Sequence, residues 1–201
     1  MSRKPFIIVI SLIIVIGAAV YGITSGLYPV LIVNSRMASA KGLNDDLAVV
    51  INYYEKISDV ALKTGVKTID PNSDRMEIKR AILDKLIEDR LISDELGRRI
   101  KNSDLASIIN TKIETALKES TSHEKDFEKE VESIYGLSLN QFKTIVLEPQ
   151  AKREILEGRL LLEHNTENDS MNNWLKDAKA KANIYILLPG FSWNGEQMVT
   201  K

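Results

Sequence analysis

The amino-acid sequence predicts a mainly helical domain that follows one transmembrane helix. Three observations carry this prediction. In Arg80–Leu96, apolar residues recur at helical spacing. An uncharged and strongly apolar run begins at Pro5. Two short apolar segments with strand character, Val30–Val33 and Asn183–Leu188, stand near the two ends of the remaining chain.

The segment Arg80–Leu96 is predicted to be the central helix of the domain. One group of its apolar residues covers nearly half of a helical wheel, and Ile92 and Leu96 fall on the opposite side. A helix that is apolar along a single stripe packs against one neighbour, so this pattern indicates neighbouring helices on several sides. The residues of the first group are Ile82, Leu83, Leu86, Ile87 and Leu91.

Composition excludes several classes of function. The chain has 201 residues, which is enough for one domain with a substantial core, and a formal net charge of −1. Residues 1–35 contain Arg3 and Lys4 and no acid, so the remainder has 25 basic and 28 acidic residues, a net charge of −3. A mildly acidic body argues against nucleic-acid binding, which needs clustered Lys and Arg. The chain has no cysteine, which excludes disulfides, a thiol nucleophile and cysteine-based metal sites.

Residues 1–27 are predicted to be a cytoplasmic stub and a membrane anchor. The densest apolar part, from Phe6 to about Ile23, has roughly the ~20 residues that cross a bilayer core. Arg3 and Lys4 precede it, so the positive-inside tendency keeps the N-terminus in the cytoplasm and places the body outside. The membrane is thus an expected partner.

The alternatives to an anchor are a cleaved signal peptide and a buried helix of a soluble protein. A cleaved signal peptide usually has an apolar region of ~7–15 residues that ends at a small-x-small site. Here the run is longer, and the site at Met37–Ala40 is too far from it. A buried helix of a soluble protein is disfavoured by the uninterrupted length of the run. A retained anchor is therefore the favoured interpretation.

Residues 28–190 are predicted to be the helical body, and residues 191–201 a loosely held tail in which only Phe191 and Trp193 are anchored. The strands Val30–Val33 and Ile184–Leu188 are expected to pair and tie the ends of the body together. The other helices are predicted around Leu43–Ala61, Leu105–Leu117, Phe127–Tyr135, the segment after Ser138, and Met171–Ala182.

Local signals predict where helices begin and end. Asp74 with Glu77 and Thr121 with Glu124 have the spacing of N-terminal caps. Gly65 is expected to end the helix before it, and Gly97 is expected to end or bend the central helix.

Ser138-x-x-Gln141 forms a capping box, and Leu137 with Phe142 forms a hydrophobic staple beside it. Because Pro149 cannot donate to the carbonyl of Ile145, a kink or break is expected near residues 147–149.

The residues available for catalysis and metal binding predict a non-enzyme without cofactor or metal. His123 and His164 each stand in polar surroundings with no second histidine at ligand spacing. The adjacent pairs Asp45-Asp46 and Glu88-Asp89 point about 100° apart on a helix, so neither pair forms a carboxylate dyad. No nucleotide-binding, zinc-protease or nucleophile-elbow motif occurs.

The order of four motifs resembles the N-terminal chaperone domain of the SurA family, the group that includes SurA, PpiD and PrsA. They are the strand and turn Val33-Asn34-Ser35, the helix Ile82–Leu96, the helix pair Phe127–Leu162, and Trp174-Leu175 with the following strand at 181–184. The resemblance covers about residues 30–188. Ser35 stands where the family usually has glycine, and Pro149 interrupts the long helix.

This resemblance implies binding of unfolded or translocating polypeptides in a groove between helices. The family's parvulin-type isomerase domain is missing, because only a short polar loop, His164–Ser170, occupies its place, so no prolyl isomerase activity is expected. Tyr53, Tyr54, Phe142 and Tyr185 are the candidate groove residues, and simple core packing is the alternative for each. The alternative functions are a membrane-anchored scaffold for one folded partner and a divergent member of an isomerase family.

Overall fold

The computed structural model describes residues 20–64, 74–120, 124–164 and 170–201. This part of the chain is mainly helical, with two small sheets. Its helices are α1 (Ala40–Thr64), α2 (Arg75–Arg99), α3 (Asn102–Ser120), α4 (Glu124–Tyr135), α5 (Leu139–Phe142), α6 (Glu148–His164) and α7 (Ser170–Lys181). Its strands are β1 (Pro29–Val33), β2 (Arg36–Ser39), β3 (Ile184–Ile186), β4 (Phe191–Trp193) and β5 (Met198–Thr200).

Helix α2 is the centre of the fold, as its apolar pattern predicts. Its first half buries Ile82, Leu83 and Ile87 in a core shared with the strands and α1. On its other side, Ile92 and Leu96 join a second core made with α3, α6 and α7. The two apolar sides of one helix therefore hold the two main cores together.

The predicted pairing between the ends of the body is confirmed. Strand β1 pairs antiparallel with β3, and Ile32 lies opposite Tyr185. The strand ends at Ile186 rather than at Leu188, although the Leu187 amide still donates to the carbonyl of Val30. Residues far apart in the sequence are thereby joined on one sheet, whose strand order is β2-β1-β3.

Strand β2 was not predicted. It follows β1 through a two-residue turn in which Asn34 and Ser35 have φ angles of 47° and 73°. Two consecutive positive φ angles are typical of a type I′ hairpin turn, which favours Asn-Gly. Because serine occupies the second position, the usual sequence signal for this hairpin is absent.

The C-terminal residues 191–201 belong to the body, so the prediction of a loosely held tail is wrong. Strands β4 and β5 form a hairpin in which Phe191 and Met198 are buried in the first core. The Met198 amide also donates to Oδ1 of Asp84 on α2 at 2.8 Å. A buried apolar side chain and a satisfied backbone amide hold this hairpin in place.

Residues 139–164 form one continuous helix that contains a π-helical turn at Lys143–Leu147. The predicted capping box at its start is present: the Ser138 side chain accepts from the Gln141 amide, and the Gln141 side chain accepts from the Ser138 amide. The predicted break near residues 147–149 does not occur, and the π-helical turn immediately precedes Glu148 and Pro149. In a π turn, each backbone carbonyl accepts a hydrogen bond from the amide five residues later, as the Lys143 carbonyl does from the Glu148 amide. The Ile145 carbonyl therefore does not depend on a hydrogen bond from Pro149, which has no amide hydrogen.

The N-terminal junction is an ordered turn. Residues 20–24 are helical, and the amides of Gly26 and Leu27 donate back to the carbonyls of Ile23 and Gly22. This pattern is a Schellman cap, with Gly26 at a φ of 69°. The carbonyl of Gly26 then accepts from the Lys41 amide at 2.7 Å, which joins the junction to the start of α1.

The predicted anchor falls mostly on residues 1–19, which lie outside the described residues. Among the helices that the structure describes, none is both long and apolar enough to cross a membrane.

Other predicted helix ends had mixed outcomes. Asp74 occupies the N-cap position of α2 but its side chain makes no capping hydrogen bond. Gly97 does not end α2, which continues to Arg99. Gly65 and Thr121 lie outside the described residues.

Candidate functional site

A cavity of about 400 Å³ lies between α1, α2, α4 and the π turn with the start of α6. We call it the apolar cavity, because its walls are formed mainly by aliphatic and aromatic side chains. Its lining residues are Asp46, Val49, Val50 and Tyr53 of α1, Ile82, Lys85 and Asp89 of α2, Tyr135 of α4, and Ile145, Val146, Pro149, Gln150 and Arg153.

Helical spacing explains why these side chains converge. On α1, positions 46, 49, 50 and 53 are three or four residues apart and share one face. On the opposite wall, Ile145 and Pro149 are four apart and straddle the end of the π turn. A π turn inserts one extra residue and rotates the side chains that follow it. The same feature that accommodates Pro149 thus shapes one wall of the cavity.

Aromatic rings close one end of the apolar cavity. Tyr53 stacks on Tyr135, with ring centroids 5.6 Å apart and planes 7° apart. Tyr54 meets Tyr53 edge to face at 5.8 Å, and Phe142 contacts Tyr135 at 5.1 Å. Burial raises the pKa of the Tyr135 phenol, and the neighbouring Tyr53 raises it further. Tyr135 therefore stays neutral at physiological pH and presents an uncharged wall.

The four residues predicted to line a groove have different positions. Tyr53 lines the apolar cavity and is 36% exposed. Tyr54 is half-buried against the first core, in ring contact with Tyr53. Phe142 is 7% exposed and packs in a third core with Val49, Val131 and Leu137. Tyr185 is 60% exposed on β3 and lines neither this cavity nor the one next to it.

A second cavity of about 380 Å³ adjoins the first. We call it the charged cavity, because six charged side chains line it. These are Asp46, Lys85, Asp89, Arg90, Glu148 and Lys152. The two cavities share Asp46, Lys85, Asp89, Ile145 and Pro149, so they form one cleft along α2 with an apolar half and a charged half.

Ion pairs neutralise most of the charge in this cleft. Lys85 Nζ lies 2.6 Å from Asp89 Oδ2, and Lys152 Nζ lies 2.7 Å from Glu148 Oε1. In the apolar half, the Arg153 guanidinium is paired with Glu88, which also binds Lys179 of α7. The two pairs with Glu88 join α6 and α7 to α2, whereas the other two pairs each lie within one helix.

Asp46 stands at the boundary between the two halves. Burial raises the pKa of its carboxyl group; Lys85 lowers it, and Asp89 and Asp45 raise it. Within the described residues its side chain makes no hydrogen bond or ion pair. Asp46 is therefore a half-buried carboxylate whose charge is not neutralised by a bonded partner.

Sequence reasoning missed most of the lining residues. Tyr53 is the one lining residue among the four candidate groove residues, and Tyr135 was predicted only as part of the helix Phe127–Tyr135. Ile145, Val146 and Arg153 carry no signal of their own, because their convergence with α1 depends on the π turn and on tertiary packing. Contacts across such distances in sequence cannot be read from periodicity.

The cleft has the chemistry of a binding surface. Aliphatic and aromatic walls take up apolar side chains by removing them from water, and the charged half sets a polar boundary. In the part of the chain that the structure describes, no group of three or more His, Asp or Glu side chains is placed to hold a metal ion. His123 and the side chain of His164 lie outside that part.

Comparisons with known proteins gave no match, whether to a family model, a curated protein or a solved structure. The resemblance to the SurA family accordingly stays a prediction.

Proposed function

We propose that the chain is a membrane-anchored, extracytoplasmic, chaperone-like protein that binds unfolded or translocating polypeptides. The observation that carries this proposal is the apolar cavity of about 400 Å³. Cavities of this size with mainly apolar walls bind ligands or partner side chains. The occupant is a large apolar side chain of an extended polypeptide, taken up between Tyr53 on one wall and Val146 on the other.

The two cations of the apolar cavity do not orient a bound side chain strongly. Lys85 and Arg153 are already held in ion pairs with Asp89 and Glu88, so they are not free to orient a ligand strongly. The remaining walls bind by burial of apolar surface, which is not directional. Weak binding of many unfolded sequences follows from such walls.

The position of the body relative to the membrane supports the same function. The apolar run after Arg3 and Lys4 predicts an anchor with the body outside. The body begins at the ordered turn around Gly26, only a few residues after that run. A chaperone in this position meets polypeptides as they emerge from the membrane.

We also propose that the protein has no prolyl isomerase activity. Lowering the rotation barrier of an X-Pro bond requires a preorganised pocket that favours the twisted amide. In the SurA family that pocket lies in a separate domain between the long helix and the closing segment. Here α6 ends at His164 and α7 begins at Ser170, which leaves residues 165–169 for that position.

One observation favours a scaffold as the second candidate. On the outer face of the first sheet, Met37, Ile32 and Tyr185 form a row of cross-strand neighbours. Met37 is 63% exposed and Tyr185 60% exposed. An exposed apolar row on a sheet is a surface on which one folded partner can pack.

Site-specific crosslinking in cells separates the two candidates. A photoreactive phenylalanine analogue replaces Tyr53 in one variant of the full chain and Tyr185 in another. After illumination, the crosslinked chains are identified by mass spectrometry. The two positions are matched, because both replace a tyrosine and only Tyr53 lines the cavity.

The chaperone proposal predicts many different polypeptides crosslinked at position 53 and few at position 185. One stoichiometric partner at position 185, with none at 53, contradicts it and supports the scaffold. Protease added to spheroplasts tests the topology in the same cells. Digestion of the body is expected, and full protection would contradict an extracytoplasmic location.

A further inference from the structure

The cleft has a definite order of surface chemistry along α2. The apolar cavity comes first, Asp46 stands with the Lys85–Asp89 pair where the two cavities meet, and the charged cavity follows. An extended polypeptide that places one side chain in the apolar cavity must pass Asp46 to continue along the cleft. The side chain that meets Asp46 then decides how well the segment fits.

The charges near this boundary leave Asp46 as the unneutralised acid. Lys85 is bonded to Asp89 at 2.6 Å, and Lys152 is bonded to Glu148 at 2.7 Å. At the far end of the charged cavity, Arg90 donates to the backbone carbonyl of Met37 at 3.2 Å. Within the described residues Asp46 makes no such bond. Its half-buried carboxylate has lost part of its hydration, which the charge of nearby Lys85 offsets only in part.

A cation from the bound segment supplies the missing compensation. An ammonium or guanidinium group that reaches Asp46 forms a charge-assisted hydrogen bond and neutralises the carboxylate. An acidic side chain at the same place meets Asp46 and Asp89 and is repelled.

We propose that the cleft selects polypeptide segments in which one residue separates a large apolar side chain from a lysine or arginine. In an extended chain, side chains alternate between faces, so residues two apart point to the same side and lie roughly 7 Å apart. The apolar side chain occupies the apolar cavity, and the basic one meets Asp46. This inference rests on the proposed function, because it names the class of segment that the cleft holds.

Three labelled peptides test the proposal against the full-length chain in detergent micelles. They share one extended sequence and differ only in the second residue after a leucine, which is lysine, glutamine or glutamate. Affinities are measured by fluorescence anisotropy at low salt. The lysine peptide is expected to bind about fivefold more tightly than the glutamate peptide, the scale of a partly exposed ion pair.

Variants of two adjacent residues, Asp45 and Asp46, test whether Asp46 causes the preference for the lysine peptide over the glutamate peptide. Asp46→Asn is expected to bring the affinities of the lysine and glutamate peptides within about twofold of each other, because the local charge is gone. Asp45→Asn is the matched control: Asp45 pairs with Lys41 at 2.8 Å and lines neither cavity, so the preference is kept. Thermal melting of both variants confirms that the fold is intact.

The outcomes separate this inference from the proposed function. Equal binding of all three peptides, or a lysine preference that survives Asp46→Asn, overturns the inference and leaves the chaperone proposal standing. Failure of every peptide to bind, the glutamine peptide included, overturns both.

Discussion

The ring of Tyr53 on α1 lies flat on the ring of Tyr135 on α4, with centroids 5.6 Å apart and planes 7° apart. Both rings line the apolar cavity. The stack therefore joins two helices and builds one end of the candidate site at the same time. A substitution of Tyr53 is therefore expected to affect both the stability of the fold and the candidate site.

Tyr53→Ala removes this stack and opens the end of the apolar cavity. Because Tyr53 is 36% exposed, the expected loss in the free energy of unfolding is modest, about 1–2 kcal/mol. Affinity for an unfolded polypeptide is expected to fall several-fold more than in Tyr185→Ala, which removes a tyrosine from outside the cavity. Equal binding by the two variants would contradict a role for Tyr53.

Asp46→Asn is expected to stabilise the protein at neutral pH. The raised pKa of Asp46 means that the native state binds its proton more tightly than the unfolded chain does. The stability contributed by protonation is present at low pH and is lost as pH rises through the raised pKa. At pH 7 the ionised carboxylate therefore lowers the free energy of unfolding. Removing it is expected to gain on the order of 1 kcal/mol, or about 2–4 °C in Tm.

Melting curves from pH 3 to 8 check this prediction. The gain of Asp46→Asn over the wild-type chain is expected at pH 7 and is expected to vanish towards pH 3. Asp45→Asn is the control and is expected to show no gain at pH 7, since it breaks the exposed pair with Lys41. A lower Tm for Asp46→Asn at pH 7 would contradict the view that the burial of the Asp46 carboxylate outweighs its attraction to Lys85.

Gly26 is required at the N-terminal junction for two reasons. Its φ of 69° is strained for any residue with a side chain, and an added Cβ would lie 3.3 Å from the backbone nitrogen of Lys41. Gly26→Ala is therefore expected to destabilise the junction by about 1–2 kcal/mol. The readout is faster hydrogen exchange at the Leu27 and Lys41 amides.

Gly22→Ala provides the comparison for this variant. Gly22 lies in the helical residues 20–24, and nothing lies within 4 Å of an added Cβ. Alanine is favoured over glycine in a helix, so this change is expected to be neutral or slightly stabilising. Identical exchange in both variants would show that the conformation of Gly26 does not hold the junction.

Met198→Ala tests whether the C-terminal hairpin is part of the core. Met198 is 1% exposed, so its truncation is expected to cost about 2–4 kcal/mol in the free energy of unfolding. Gln197→Ala changes an exposed side chain next to it and is expected to stay within about 0.5 kcal/mol of the wild-type chain. Denaturant unfolding measures both, and similar midpoints for the two variants would mean that the hairpin is dispensable.

Sequence periodicity and capping signals predict the scaffold of this fold well. The two apolar sides of α2, the pairing of β1 with β3 and the Ser138 capping box are local patterns or simple complements of each other. The α2 pattern and the capping box depend on residues close together in the sequence. The strand pairing follows because each of the two strand segments needs another strand for its backbone hydrogen bonds.

The parts that could not be predicted depend on packing. The β1–β2 turn lacks the usual Asn-Gly sequence signal, because Ser35 occupies a position with a positive φ angle where glycine is usual. The C-terminal hairpin is short, and it is held by strand pairing and by the burial of Phe191 and Met198, which depend on contacts with the rest of the fold. The cleft combines α1, α2 and α6, and its shape depends on a π turn that the presence of Pro149 does not specify.

The central claim is that the apolar cavity holds unfolded polypeptide, and filling the cavity tests it most directly. Val146→Trp places a large ring in the cavity, whereas Leu162→Trp adds the same ring at an exposed position that lines neither cavity. The measurement is the affinity of each full-length variant for a chemically unfolded protein, with Tm recorded for each. We expect Val146→Trp to bind about tenfold more weakly and Leu162→Trp to bind like the wild-type chain. Wild-type affinity in a folded Val146→Trp variant would contradict the claim.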